Sequence, residues 1–81
     1  MDKRIGTISI FIENQENIDK VNRLLTEFSD IIVSRMGVPY RQKKVAVIVI
    51  IVDGTNDSIG ALGGKLGNIK NIQVKTVLSK I

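Results

Sequence analysis

Between Arg4 and Glu13 the isoleucines Ile8, Ile10 and Ile12 alternate with Thr7, Ser9, Phe11 and Glu13. A period of two belongs to a strand with one face in a core, and it predicts a first strand, β1, over 4–13. The period then changes. Asn14 is placed to cap a helix with Glu16 in its first turn, and Ile18, Val21, Leu25, Phe28 and Ile32 recur at steps of three and four residues. That spacing makes one apolar stripe and predicts α1 from Asn14 to near Asp30.

Residues 33–40 are rich in strand formers but contain Gly37 and Pro39. Proline cannot donate to a ladder, so this segment predicts an edge strand, β2. The polar connector Arg41-Gln42-Lys43-Lys44 leads into 45–53, where both alternating rows are apolar: Val45, Val47, Val49 and Ile51 on one, Ala46, Ile48, Ile50 and Val52 on the other. Such doubling marks a central strand covered on both sides, β3. Gly54-Thr55-Asn56-Asp57 supplies turn and cap chemistry, and Ile59, Leu62, Leu66 and Ile69 then repeat at helical spacing until Asn71, which predicts α2. Residues 72–78 alternate again, with Gln73 and Lys75 on a polar face, and predict a second edge strand, β4.

Two strand–helix–strand units with right-handed crossovers give an α+β, ferredoxin-like βαββαβ sandwich of two layers, with antiparallel sheet order 4-1-3-2. The apolar doubling of β3 suits an inner position. Both helices then cover one sheet face, which leaves Phe11 and a complete apolar row of β3 to meet water in a monomer. A partner subunit is expected on that face, as a homo-oligomer of dimeric or tetrameric form.

The composition narrows the chemistry. The chain has 81 residues, 43% hydrophobic and 25% charged with one proline, which is a globular balance and one domain over 1–81. A domain this short buries little core, and assembly is a natural remedy. It has no cysteine and no histidine. This removes disulfides, thiol chemistry, zinc sites and serine triads together. Asp53 and Asp57 flank the β3–α2 turn as caps rather than metal ligands, and no metal, cofactor or catalytic residue is expected.

The first residues, Met1-Asp2-Lys3-Arg4, run into an alternating segment without the features of a signal peptide, and the longest apolar run, Val45 to Val52, is eight residues. A helical span needs about 20. A cytoplasmic location without membrane contact is the expectation. The net charge of +4 is spread over scattered lysines, and of β1 and β3 only β1 offers an aromatic, Phe11. Direct DNA binding and sheet-mediated RNA binding are therefore not expected.

Two constellations stand out as candidate sites. In α2, Gly60, Gly63, Gly64 and Gly67 fall on one strip beside the Ile59, Leu62, Leu66 stripe. Each interior helical glycine costs about 1 kcal/mol relative to alanine, so something should compensate. Close helix packing, within or between subunits, is one account, with Gly67 serving as a helix end; a small-ligand pocket is another. The order lacks the glycine-lysine-serine pattern of a phosphate loop. The second constellation is the hairpin region Arg35, Gly37, Pro39, Tyr40 and Arg41, where arginines and a tyrosine could grip a carboxylate or phosphate. Its structural alternative pairs Arg35 with an acid such as Asp30 and leaves Tyr40 to pack.

Several local sequences carry a resemblance to a known family. They are Phe28-Ser29, Arg35-Met36-Gly37-Val38-Pro39, Asn56-Asp57 followed by Ile59-Gly60-Ala61-Leu62 and Gly64-Lys65-Leu66-Gly67, and Val74-Lys75-Thr76-Val77. Together they resemble the iron-only hydrogenase system regulators, across nearly the whole chain. The resemblance implies a domain similar to the ACT modules and to the ligand-binding domain of the nickel-responsive repressor, assembled into dimers or tetramers. The repressor's metal site needs histidines and a cysteine, and its ribbon-helix-helix segment has no counterpart upstream of Arg4. Nickel sensing and direct DNA binding do not transfer. ACT modules hold an amino acid near a glycine-bearing turn after their first strand, whereas Glu13-Asn14-Gln15-Glu16 contains no glycine.

The expectation is a non-enzymatic, oligomeric regulatory module with a small anionic effector beside Arg35 to Arg41 and the glycine strip. Its alternatives are a structural or adaptor subunit without ligand, and a basic nucleic-acid accessory protein.

Overall fold

The computed structural model describes residues 2–80. The element order is β1 (Arg4–Ile12), α1 (Gln15–Glu27), β2 (Ile32–Tyr40), β3 (Val45–Gly54), α2 (Asn56–Gly67) and β4 (Ile72–Leu78). The sheet runs β2-β3-β1-β4 with every neighbouring pair antiparallel, the expected order read from its other edge. The inner strands carry the isoleucine-rich patterns, and the outer ones carry Pro39 and the polar row of β4.

Cross-strand register divides the sheet into two faces. Ile8 stands opposite Ile50 and Ile10 opposite Ile48, and these residues with Ile12 and Val52 are buried beneath the helices. The helices contribute Val21 and Leu25 from α1 and Ile59, Leu62 and Leu66 from α2. Each fully buried side chain of this size contributes about 1.5–3 kcal/mol, so the core is almost wholly aliphatic and rests on shape-matched Ile, Leu and Val.

On the opposite face Phe11 stands across from Val47, which in turn faces Val38, while Val49 faces Met36 and Ile51 faces Ser34. Helix does not cover this side: Phe11 is 39% exposed, Ile51 41% and Met36 62%. The apolar residues concentrate on the β2–β3 half. Toward β4 the same face is mostly polar, with Thr7, Ser9, Gln73 and Lys75, beside the exposed Val77.

Three boundaries depart from the sequence reading. Helix α1 ends at Glu27, with Phe28 as its C-cap and a short 3-10 turn over Ser29–Ile31. Ile32, assigned by periodicity to the helical stripe, instead opens β2 and pairs with Val52. The helical period runs on through Phe28, but the sheet ladder captures the next apolar residue. At α2 the cap is Thr55 rather than Asp53 or Asp57: its hydroxyl oxygen accepts from the Ser58 N–H at 3.1 Å. Asp57 lies in the helix's first turn, where its charge suits the helix dipole. Gly67 is the last helical residue and Asn68 the C-cap, with no glycine at positive φ among the described residues. The left-handed positions are Lys44 (φ 55°) and Asn71 (φ 65°).

Candidate functional site

Strand β1 ends and β3 begins at the same end of the sheet, since Ile12 pairs with Ala46. The β1–α1 turn and the β2–β3 hairpin therefore meet there, although some 25 residues separate them in sequence. Between them lies an open groove of about 500 Å³. Ile12, Ile18, Pro39 and Ala46 supply apolar lining, while Glu13, Asn14, Gln15, Tyr40, Arg41 and Lys44 supply polar groups. Its volume is in the range of small-molecule sites.

Local chemistry builds each wall. Asn14 adopts extended backbone and its Oδ1 accepts from the Glu16 N–H at 3.1 Å, which starts α1 at the groove and directs the helix N-terminus toward that end. Opposite, residues Arg41–Lys43 form a 3-10 turn closed by Lys44. The Tyr40 hydroxyl donates to Gln42 Oε1 at 3.0 Å, bracing the turn. Lys44 holds φ 55°, a conformation that costs a non-glycine residue about 1–2 kcal/mol. The groove thus joins an aliphatic floor to two exposed cations and a helix N-terminus, with Glu13 as the one acid in its lining. Such a lining suits a small anion with an apolar body.

A family model described as "Iron-only hydrogenase system regulator, putative" (TM1266-like) matches residues 4–76. The chain belongs to this family. Its fold superposes on the uncharacterized protein TM1266 from Thermotoga maritima with a TM-score of 0.93 and 40% identity, covering 98% of this chain and all of that one. A formyltetrahydrofolate deformylase from Pseudomonas putida shares the fold over 90% of this chain and 28% of its own, at 13% identity and a TM-score of 0.64. The divalent ion tolerance protein CutA1 from Ehrlichia chaffeensis does so over 98% and 84%, at 16% identity and 0.52. No curated protein matches the chain at a significant level.

For this family member the groove brings together three of the residues singled out from sequence, Pro39, Tyr40 and Arg41. Arg35 and Gly37 lie on the same strand but on the helix-facing side, opposite Ile50 and Ile48. Arg35 Nη2 donates to Asn22 Oδ1 on α1 at 2.7 Å, not to Asp30. The α2 glycines are elsewhere. A Cβ added at Gly60, Gly64 or Gly67 would meet nothing within 4 Å, and one at Gly63 would meet only the Thr76 hydroxyl at 3.4 Å. Close packing inside the subunit therefore does not account for three of the four. Glu13, Gln15, Ile18 and Lys44 line the groove as well, although the sequence pattern marks them only as turn, helix-stripe and connector residues. The topology could have found them, because in a βαββαβ fold the first turn and the central hairpin share one end of the sheet. Among the described residues no cluster of three or more acids could hold a metal, and no helix is long and apolar enough to cross a membrane.

Proposed function

We propose that the chain is a non-enzymatic regulatory module of an iron-only hydrogenase system that binds a small anionic effector in the groove and works as an oligomer through its open sheet face. The observation that carries this reading is the groove itself, where Arg41 and Lys44 stand over the aliphatic floor of Ile12, Ile18, Pro39 and Ala46. The family's description is that of a regulator. A regulator needs a site whose occupancy can vary, and an open groove with exposed cations and no catalytic pair beside them fits that need better than it fits turnover.

A thermal-shift screen of small carboxylates and phosphates tests it. Saturating ligand raises the melting temperature by mass action, and Arg41→Ala with Lys44→Ala removes the rise. An adaptor subunit without ligand would show no shift with any compound, which would overturn the effector reading.

A further inference from the structure

We infer that the outer edge of β4 docks an extended segment of another protein, which joins the sheet as a fifth strand with an acidic residue opposite Lys75 and apolar side chains against the glycine flank of α2. The groove plays no part in this, so the inference goes beyond the effector reading and stands without it.

The backbone of β4 sets the edge. The Ser79 N–H donates to the Ile5 carbonyl oxygen at 2.9 Å, one step beyond the pairing of Gly6 with Leu78. In an antiparallel ladder every second residue bonds to the same neighbour, so Gln73, Lys75 and Val77 also aim their backbone groups at β1. Ile72, Val74, Thr76 and Leu78 aim theirs away from the sheet, where β4 has no second strand among the described residues. The opposite edge is built differently. Strand β2 carries Pro39, which has no N–H, and its register slips between Ile32 and Ser34. Prolines and bulges close an edge to added strands. Strand β4 has neither, and its pairing with β1 is unbroken over all seven residues.

The flank of α2 beside this edge is bare. A Cβ at Gly63 would sit 3.4 Å from Thr76 Oγ1, which places Gly63 on the β4 side of the helix, whereas Lys65 reaches Glu27 of α1 at 3.7 Å on the other side. At about 100° per residue, Gly60 and Gly67 fall within roughly 60° of Gly63. A Cβ at either would meet nothing within 4 Å. A strand laid along β4 sets every second side chain against this flank, in the row of Ile72, Val74 and Thr76. The absent Cβ atoms leave room there for bulky apolar groups, which gives the helical glycines a use that packing inside the subunit does not.

Charge selects the occupant. Residues 68–80 contain Lys70, Lys75 and Lys80 and no acid, while Asp57 and Lys65 of α2 offset each other. A second copy of the chain is the poorer fit. Antiparallel pairing of β4 with itself over its full length, Ile72–Leu78, is centred on Lys75 and sets the two lysines opposite each other, which is unfavourable. A strand with Asp or Glu at that position gains an opposite-charge pair instead. The partner is therefore a segment that alternates apolar and acidic residues and is held chiefly by main-chain hydrogen bonds.

The probe is the end-blocked peptide Thr-Val-Glu-Val-Glu-Val-Thr, and the readout is amide hydrogen exchange followed by NMR on the full chain. In excess peptide, exchange slows at least tenfold at Ile72, Val74, Thr76 and Leu78 and is unchanged at Gln73, Lys75 and Val77. The same peptide N-methylated at its valines gives no slowing. Gly60→Leu with Gly67→Leu, both directed into open space, keeps the melting temperature at or above that of the parent and weakens peptide binding at least tenfold. Lys75→Glu weakens it similarly, and a peptide with lysines in place of the glutamates binds that variant. No slowing at the four outward amides, or equal slowing by the N-methylated peptide, overturns the edge as the docking site. Unchanged binding by the leucine variant overturns the role of the glycine flank. Protection of the four amides that rises with protein concentration in the absence of peptide overturns the choice of a foreign segment over a second copy.

Discussion

The side-chain amide of Asn17 in α1 donates to the backbone carbonyl oxygen of Lys70 at 2.7 Å, tying the first helix to the turn before β4 across 53 positions of sequence. Among the described residues Asn17 is the one buried polar residue, in a core otherwise made of aliphatic side chains. Its partner precedes Asn71, whose φ of 65° turns the chain into the last strand. The bond thus fixes where β4 begins its pairing with β1.

Asn17→Ala leaves the Lys70 carbonyl without that donor, and it lowers the unfolding free energy by about 1–3 kcal/mol. Urea denaturation monitored by circular dichroism measures the loss. A variant as stable as the parent would show that the bond has no net value.

The glycines divide by the space around them. A Cβ at Gly6 would sit 2.8 Å from the Val77 carbonyl oxygen and 2.9 Å from Leu78 Cδ2. Gly6→Ala therefore strains the β1–β4 pairing, at a cost of about 1–3 kcal/mol. Gly64→Ala meets nothing within 4 Å and gains helix propensity, so it stabilises the subunit by about 0.5–1 kcal/mol. Thermal unfolding of the two variants should move in opposite directions.

Lys44 sets stability against binding. Lys44→Gly relieves the left-handed backbone at φ 55° and raises stability by roughly 1 kcal/mol, while it removes a cation from the groove. Thermal melts and anion titrations on the same sample should show a higher melting temperature and weaker binding. A fall in both would mean that the lysine side chain holds the hairpin together.

The two faces of β3 respond differently to truncation. Val52→Ala and Leu62→Ala open cavities in the covered layer, costing about 1–5 kcal/mol. Ile51→Ala on the open face, where Ile51 is 41% exposed, costs under about 1 kcal/mol in dilute solution, and under the proposed assembly its main effect is weaker association, read by sedimentation at higher protein concentration.

Much of the fold is legible in the chain because hydrophobic period is a local property. The alternation through Ile8, Ile10 and Ile12, the stripe of Val21 and Leu25, and the doubled rows of β3 each report their element within a few residues. Asn14 as a cap and the sheet order follow from the same information, joined to the handedness of crossovers. The end of α1 was not legible. Phe28 and Ile32 continue the helical period, and only the β2–β3 ladder, which pairs Ile32 with Val52, decides that the helix stops at Glu27.

The sequence by itself determined the two-layer α+β architecture, the bare apolar sheet face and the absence of histidine and cysteine chemistry, since each depends on residue identity and short-range spacing. Tertiary structure alone decided which polar residues share a site. It joined Pro39, Tyr40 and Arg41 to Glu13, Asn14 and Ile18, sent Arg35 to Asn22, and left Gly60, Gly64 and Gly67 facing open space. The reason is physical: a groove is formed by segments distant in sequence, and its walls are set by strand register and by the seating of a helix on the sheet, which no local period encodes.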